Sequence, residues 1–208
     1  MPTADPAGRS PGWTVIVPVK DLSRAKSRLD SPPGERERLA LAFAADVVTA
    51  ALASPVVGEV LVVTADAEAA TVLADQGARI VPDPGTGLNG ALTTAEQSAG
   101  PRCAVIAGDL PALRTAELTD ALEAADAHER SFVADAAGTG TTLLARTGGI
   151  PLDPHFGVRS RAAHRVSGAV EITLPATHAG LRRDVDTDVD LWDARRLGVG
   201  PQTTRLLS

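Results

Sequence analysis

The chain has 208 residues, 44% of them hydrophobic and 22% charged, with a formal net charge of −6. That size and balance suit one globular domain with a core of its own, and no apolar run reaches the length a bilayer demands. The acidic charge, an aromatic content of only 2% and the absence of tyrosine argue against a general nucleic-acid binder or a base-stacking platform.

Residues 1–12 are polar and rich in Pro and Gly without an apolar stretch. They read as a loosely ordered tail rather than a secretion signal, ahead of a single domain over 13–208, and a cytoplasmic location is expected. Residues 14–19 (TVIVPV) form a buried first strand. Residues 35–52 repeat apolar side chains at helical spacing, with Leu39, Phe43, Val47 and Leu52 on one side. A second buried strand over 59–64 leads to a helix over 67–76 that stops at Gly77. A short strand at 79–81 is ended by Pro82 and Pro84, and 88–98 is helical. Residues 103–107 (CAVIA) are another buried strand, in which the lone Cys103 reads as a small core residue; one cysteine excludes an internal disulfide. A helix over 115–127 opens with Thr115 as cap and acidic residues in its first turn. Strands at 131–134 and 141–145 flank a Gly-rich turn, and 147–168 lacks periodicity, as a segment covering a site would. A late strand at 171–174 precedes a last helix over 189–197, opened by Thr187 with Asp190 three residues on.

Alternating strands and helices with continuous apolar strands mean an α/β fold: a mostly parallel sheet with helices on both faces. Ligands of such sheets sit at the carboxyl ends of strands. That rule singles out the positions after Val19, after Ala107 and after a strand near Arg183.

Chemistry-bearing residues gather at those positions. The loop after the first strand carries Lys20, Arg24, Lys26 and Arg28, and its two lysines are the only lysines in an Arg-rich chain. Ammonium and guanidinium groups are what a polyphosphate needs; a solvated basic loop is the alternative, and the placement after a strand weighs against it. Gly108-Asp109-Leu110-Pro111 sets an acid just past a buried strand, suited to Mg²⁺ or to a turn. In Asp184-Val185-Asp186, alternation puts two carboxylates on one side of an extended segment, where they repel unless a cation intervenes; helix capping explains Thr187 and Asp188 but not Asp184. Gly85–Gly90 matches G-x-G-x-x-G, yet Pro82 and Pro84 separate it from its strand, so it reads as a loop and helix start near a nucleotide. Residues 154–165 are locally basic and include Gly157 and Ser160, a combination suited to a small phosphorylated anion. His155 and His164, with no nucleophile to pair with, read as surface histidines.

Taken in order, PVKDLSRAKSRL, LNGAL, GDLPAL, SFVADAAGTGT, PHFGVRS and LRRDVDTDVDL resemble the small guanylyltransferases of coenzyme F420 biosynthesis, which use 2-phospho-L-lactate or phosphoenolpyruvate. The resemblance runs from about Trp13 to the C-terminus. It implies a Rossmann-like, glycosyltransferase-A-type nucleotidyltransferase fold. It implies Mg²⁺ held by Asp109 and the Asp184/Asp186 segment, with Lys20, Lys26 and Asp109 as catalytic groups. Val19, Lys20, Lys26 and Arg28 would meet GTP phosphates, Leu88 and Asn89 the nucleoside, and Thr141, Gly157 and Ser160 the acceptor. The expected reaction transfers GMP from GTP to phosphoenolpyruvate, releasing pyrophosphate and giving enolpyruvyl-diphospho-guanosine. 2-Phospho-L-lactate and 3-phosphoglycerate stand as alternative acceptors, and the product would be handed to the next enzyme of the pathway. Two other classes compete: an NAD-dependent oxidoreductase using Gly85–Gly90, and a nucleotide-binding regulator that releases no pyrophosphate.

Overall fold

A computed structural model describes residues 12–24, Lys26 and 29–208. The tail expected at 1–12 therefore lies outside the described residues, apart from Gly12. In chain order the elements are β1 (Trp13–Pro18), α1 (Pro33–Leu52), β2 (Val57–Thr64), α2 (Ala67–Asp75), β3 (Arg79–Pro82), α3 (Gly87–Glu96) and β4 (Cys103–Ile106). There follow α4 (Thr115–Ala125), β5 (Arg130–Ala134), β6 (Thr141–Arg146), α5 (Ser160–Val166), β7 (Val170–Glu171), α6 (Asp188–Leu197) and α7 (Pro201–Leu207).

The strands form one sheet in the order β3-β2-β1-β4-β6-β5-β7. β3, β2, β1 and β4 run parallel, β6 runs antiparallel to β4 and β5, and β7 is parallel to β5. The mostly parallel mixed sheet expected from the sequence is thus present. Its strands alternate cleanly between two apolar layers. Val15, Val17, Val60, Val62 and Ile106 pack with residues of α1, α2 and α4. Ile16, Leu61, Val63 and Val105 face the other way, against Ala91, Leu92 and Ala95 of α3 and against Leu152. A third cluster joins Leu39 and Phe43 of α1 to Ala112, Val185 and Ala194, with Leu207 of α7 beside it.

Several sequence expectations need correction. No strand forms near Arg183 among the described residues; a 3₁₀ turn at Gly180–Arg182 stands there instead. Its neighbours make isolated backbone bonds (Ala136 N–H to Arg182 O, Val185 N–H to Asp109 O) rather than a ladder. The late strand is two residues long, over 170–171 rather than 171–174. α4 is capped at Arg114, whose backbone N–H donates to Glu117 Oε2 at 3.1 Å, so Thr115 is its first helical residue and not its cap. The stretch 147–168 contains α5, launched from the left-handed backbone of Arg159 at φ 58°. α7 was not expected at all.

α7 depends on a residue far away in sequence. Asp46, only 4% exposed in the middle of α1, accepts the backbone N–H of Gln202 at 2.9 Å and of Thr203 at 3.0 Å. Those first-turn donors have no partner inside their own helix, and the carboxylate complements the helix dipole. Gly200 is required at the junction, because a Cβ there would lie 2.4 Å from Asp46 Cγ. Asp46→Ala leaves one buried and one half-buried donor unpaired and should lower stability by about 2–3 kcal/mol in urea unfolding, with Asp46→Asn milder.

Candidate active site

Past the carboxyl ends of β1 and β4 lies a cavity of about 560 Å³, a size that suits a small-molecule substrate. The backbone of Gly108 closes against β1 so tightly that a Cβ there would sit 2.8 Å from Pro18 O. This contact sets the two loops side by side and explains the glycine ahead of Asp109.

Of the residues singled out in the sequence, Val19, Lys20, Lys26, Leu88, Asp109, Thr141, Gly157, Ser160, Asp184 and Asp186 all line this one cavity. Arg28 lies outside the described residues. Asn89 is not among the lining residues: its Nδ2 donates to Phe156 O at 3.0 Å and its Oδ1 accepts Phe156 N–H at 2.8 Å. Both ends of the amide are occupied in pinning the 154–157 loop to α3.

The acids lie around one ammonium. Lys26 adopts a left-handed backbone at φ 53°, and its Nζ lies 2.6 Å from Asp109 Oδ2 and 3.4 Å from Asp186 Oδ1. Burial works against the Lys26 charge, but Asp109 first and then Asp186 outweigh it, and its pKa lies above the ordinary lysine value. Asp184 has no such counter-charge. Burial, then the Asp109 carboxylate, and Asp135 and Asp186 more weakly, push its pKa up to about 7 against a backbone hydrogen bond that lowers it. One ammonium thus pairs with two of the three carboxylates and leaves Asp184 without a counter-charge, a set that favours a further cation. No group of three or more His, Cys, Asp or Glu among the described residues is drawn together tightly enough to hold a metal unaided. Mg²⁺ fits that situation, since it takes one or two carboxylates and fills its shell with phosphate oxygens and water.

Capping accounts for part of the acidic run, as its sequence indicated. Thr187 Oγ1 accepts Asp190 N–H at 3.3 Å, and Asp190 Oδ2 accepts Thr187 N–H at 2.9 Å. Asp188 Oδ2 accepts Asp30 N–H at 3.0 Å, which ties down the far end of the lysine loop. Asp184 takes no part in this cap.

Two acids escaped the sequence reading. Asp135, 8% exposed and lining the cavity, accepts the backbone N–H of Thr139 and of Gly140, each at 2.8 Å, and so shapes the turn before Thr141. Its signal was available: like Asp109, it lies just past a buried strand. Asp66 caps α2 through Ala69 N–H at 2.9 Å and holds the lysine loop through Leu22 N–H at 3.1 Å. His164 needs the opposite correction. Expected at the surface, it is 0% exposed, packed at 5.2 Å edge-on against Phe156. His155, by contrast, is exposed as its sequence indicated, with its Nε2 3.2 Å from Asp153 Oδ1.

The Gly85–Gly90 segment follows β3, the edge strand of the sheet, and begins α3. A dinucleotide fingerprint follows the first strand of its unit directly; that placement is not met.

Residues 13–164 match the protein family described as guanylyl transferase CofC like. A phosphoenolpyruvate guanylyltransferase of Streptomyces coelicolor is 54% identical over 199 residues, covering 92% of this chain and 93% of its own. One from Salinispora arenicola is 52% identical over 200 residues, covering 93% and 92%. Among solved structures, a nucleotidyl transferase of Methanothermobacter superposes with a TM-score of 0.59 at 21% identity, over 89% of this chain and 96% of its own. A 4-diphosphocytidyl-2C-methyl-D-erythritol synthase does so with a TM-score of 0.59 at 14% identity, over 91% and 99%. These two likenesses concern the fold, a nucleotidyltransferase sheet of the kind the sequence implied.

The charge at Asp184 has a measurable signature. Its folded pKa lies above that of an unfolded aspartate, so its contribution to stability is full below about pH 4 and lost as pH rises to about 7. In EDTA, Asp184→Asn should therefore gain about 1–2 kcal/mol over wild type between pH 4.5 and 7.5, a figure discounted for the partial exposure of the site. Mg²⁺ added at pH 7.5 should narrow that gap by favouring the ionised wild-type acid; a gap independent of pH would remove the carboxylate strain from the site.

Proposed function

Because the chain belongs to the guanylyl transferase CofC-like family, we propose that it transfers GMP from GTP to phosphoenolpyruvate, releasing pyrophosphate, in coenzyme F420 biosynthesis. The relatives that are about half identical over nearly their whole length carry the name phosphoenolpyruvate guanylyltransferase. The observation that carries the reading for this chain is convergence. A lysine loop, three carboxylates and the trio Thr141, Gly157 and Ser160 come from distant parts of the sequence to one cavity.

The chemistry asks little of a general base. An oxygen of the acceptor phosphate, already anionic near neutral pH, attacks the α-phosphorus of GTP. The bond from that phosphorus to the bridging oxygen breaks, and pyrophosphate leaves with the electron pair. No proton need move, which fits a site with no nucleophile–histidine pair. The difficulty is to bring two anions together and to stabilise charge on the leaving group.

Asp109, Asp184 and Asp186 would hold Mg²⁺, which when bound supplies charge neutralisation at the reacting phosphates. Lys20, exposed at the cavity mouth, meets the triphosphate, and Lys26 turns from its carboxylates to the phosphates as they arrive. Val19 and Leu88 give the nucleotide apolar contact. Thr141, Gly157 and Ser160 hold the acceptor. Among the described residues no helix is long and apolar enough to cross a membrane. We assign the enzyme to the cytoplasm, with its diphosphate-linked product passing to the next enzyme of the pathway.

Pyrophosphate release, followed with each nucleoside triphosphate crossed with phosphoenolpyruvate, 2-phospho-L-lactate and 3-phosphoglycerate, should be fastest for GTP with phosphoenolpyruvate. No release in any combination would refute the transferase reading. Asp109→Asn should lower kcat by about a hundredfold or more while its thermal unfolding stays near wild type; full activity in that variant would remove Asp109 from the mechanism.

A further inference from the structure

His164 is fully buried at the centre of the acceptor side. It sits on α5 one turn after Ser160, with ring centroids 5.8 Å from Phe132, 5.2 Å from Phe156 and 6.0 Å from His155. Both ring nitrogens are engaged. Nε2 lies 2.9 Å from the backbone nitrogen of His155. A backbone N–H can only donate, so Nε2 accepts and carries no proton. A neutral ring must then carry its proton on Nδ1, which lies 2.9 Å from Thr141 Oγ1.

The ring is neutral at working pH. Burial, and then the nearby His155 and Arg130, bring its pKa down to about 4, opposed only by Asp153. The polarity of the whole chain of bonds follows: His155 N–H donates to Nε2, and Nδ1–H donates to Thr141 Oγ1. The proton of the Thr141 hydroxyl is left for whatever occupies the cavity that Thr141, Gly157 and Ser160 line.

We propose that His164 is a positioning residue that, locked as its Nδ1–H tautomer, makes the Thr141 hydroxyl a hydrogen-bond donor to an anionic oxygen of the second substrate. The proposal rests on Thr141 belonging to the acceptor subsite. It gives that subsite a chemical preference for carboxylate or phosphate oxygens, which only accept, at this position. It also couples the subsite to its loop. The same imidazole that orients Thr141 holds the backbone of His155, two residues before Gly157, while Asn89 holds the residue between them.

Nitrogen NMR of the ¹⁵N-histidine-labelled wild-type protein should show His164 protonated on Nδ1, with its tautomer unchanged from pH 8 to pH 5.5. A proton on Nε2 would overturn the proposal whatever reaction the enzyme performs. In kinetics, His164→Leu and Thr141→Val should each raise KM for the phosphorylated acid about tenfold, the worth of one hydrogen bond to a charged group. KM for GTP should stay within about twofold. The double variant should be no worse than Thr141→Val alone, and His164→Asn, whose amide can replace the Nδ1–H donor, should recover most of the loss. Additive losses, or an equal rise in the KM for GTP, would make His164 a packing residue only. Absence of turnover with every acceptor would instead overturn the acceptor reading, and the tautomer would still be read directly.

Discussion

One backbone hydrogen bond, from Val185 N–H to Asp109 O at 3.0 Å, holds together what electrostatics would push apart. Asp109 lies in the turn just past β4 and Asp184 and Asp186 flank Val185, so this bond sets three carboxylates in one cavity. Like charges so near one another resist assembly, and the resistance is visible in the raised pKa of Asp184. The surrounding structure overcomes it with apolar burial. Val185 is fully buried beside Ala112, Phe43 and Ala194. Lys26 then offsets part of the charge from a loop that Asp66 and Asp188 fasten at its two ends.

The mixed direction of the sheet places Thr141 at the cavity. Were β6 parallel like its neighbours, its first residue would lie at the opposite edge from the ends of β1 and β4. Because β6 runs antiparallel to β4, with Leu143 opposite Ile106, Thr141 emerges at the same edge as Asp109. The loop that follows is anchored before it reaches the cavity. Arg146, 7% exposed, binds Glu96 at 2.7 Å and the carbonyls of Pro101 and Gly148 at 2.9 Å each. Glu96 also accepts the N–H of Leu152 at 2.8 Å. With Asn89 holding Phe156, both points of attachment on the opposite side come from α3, so one helix braces the whole 148–157 segment.

The parts of this arrangement that were legible in the sequence are those written locally. Continuous apolar runs announced β1, β2 and β4, because strands buried on both faces need apolar side chains at every position. Asp109 could be placed because an acid ending such a run must lie at a strand end. The missed features depend on contacts between distant segments. α5 is too short to show a period, and α7 follows Gly198 and Gly200, which signal a stop. Asn89 carried the right chemistry for a nucleoside, but its amide is engaged by Phe156, 67 positions away. His164 looked isolated because its partners, Thr141 and His155, come from a strand and a loop that only the fold brings together. Asp46 sat unnoticed in an apolar helix, since its partners lie 156 and 157 residues downstream.

That last separation bears on how the chain is made. During vectorial synthesis, α1 emerges early, carrying Ala40 and Ala44, which line the cavity and precede Asp46 in the same helix. The carboxylate has no native donors until Gln202 and Thr203 leave the ribosome. Until then the helix cannot settle fully against its neighbours, because an unpaired buried charge is costly. The α1 side of the cavity wall is therefore completed by residues that lie 156 and 157 positions further along the chain.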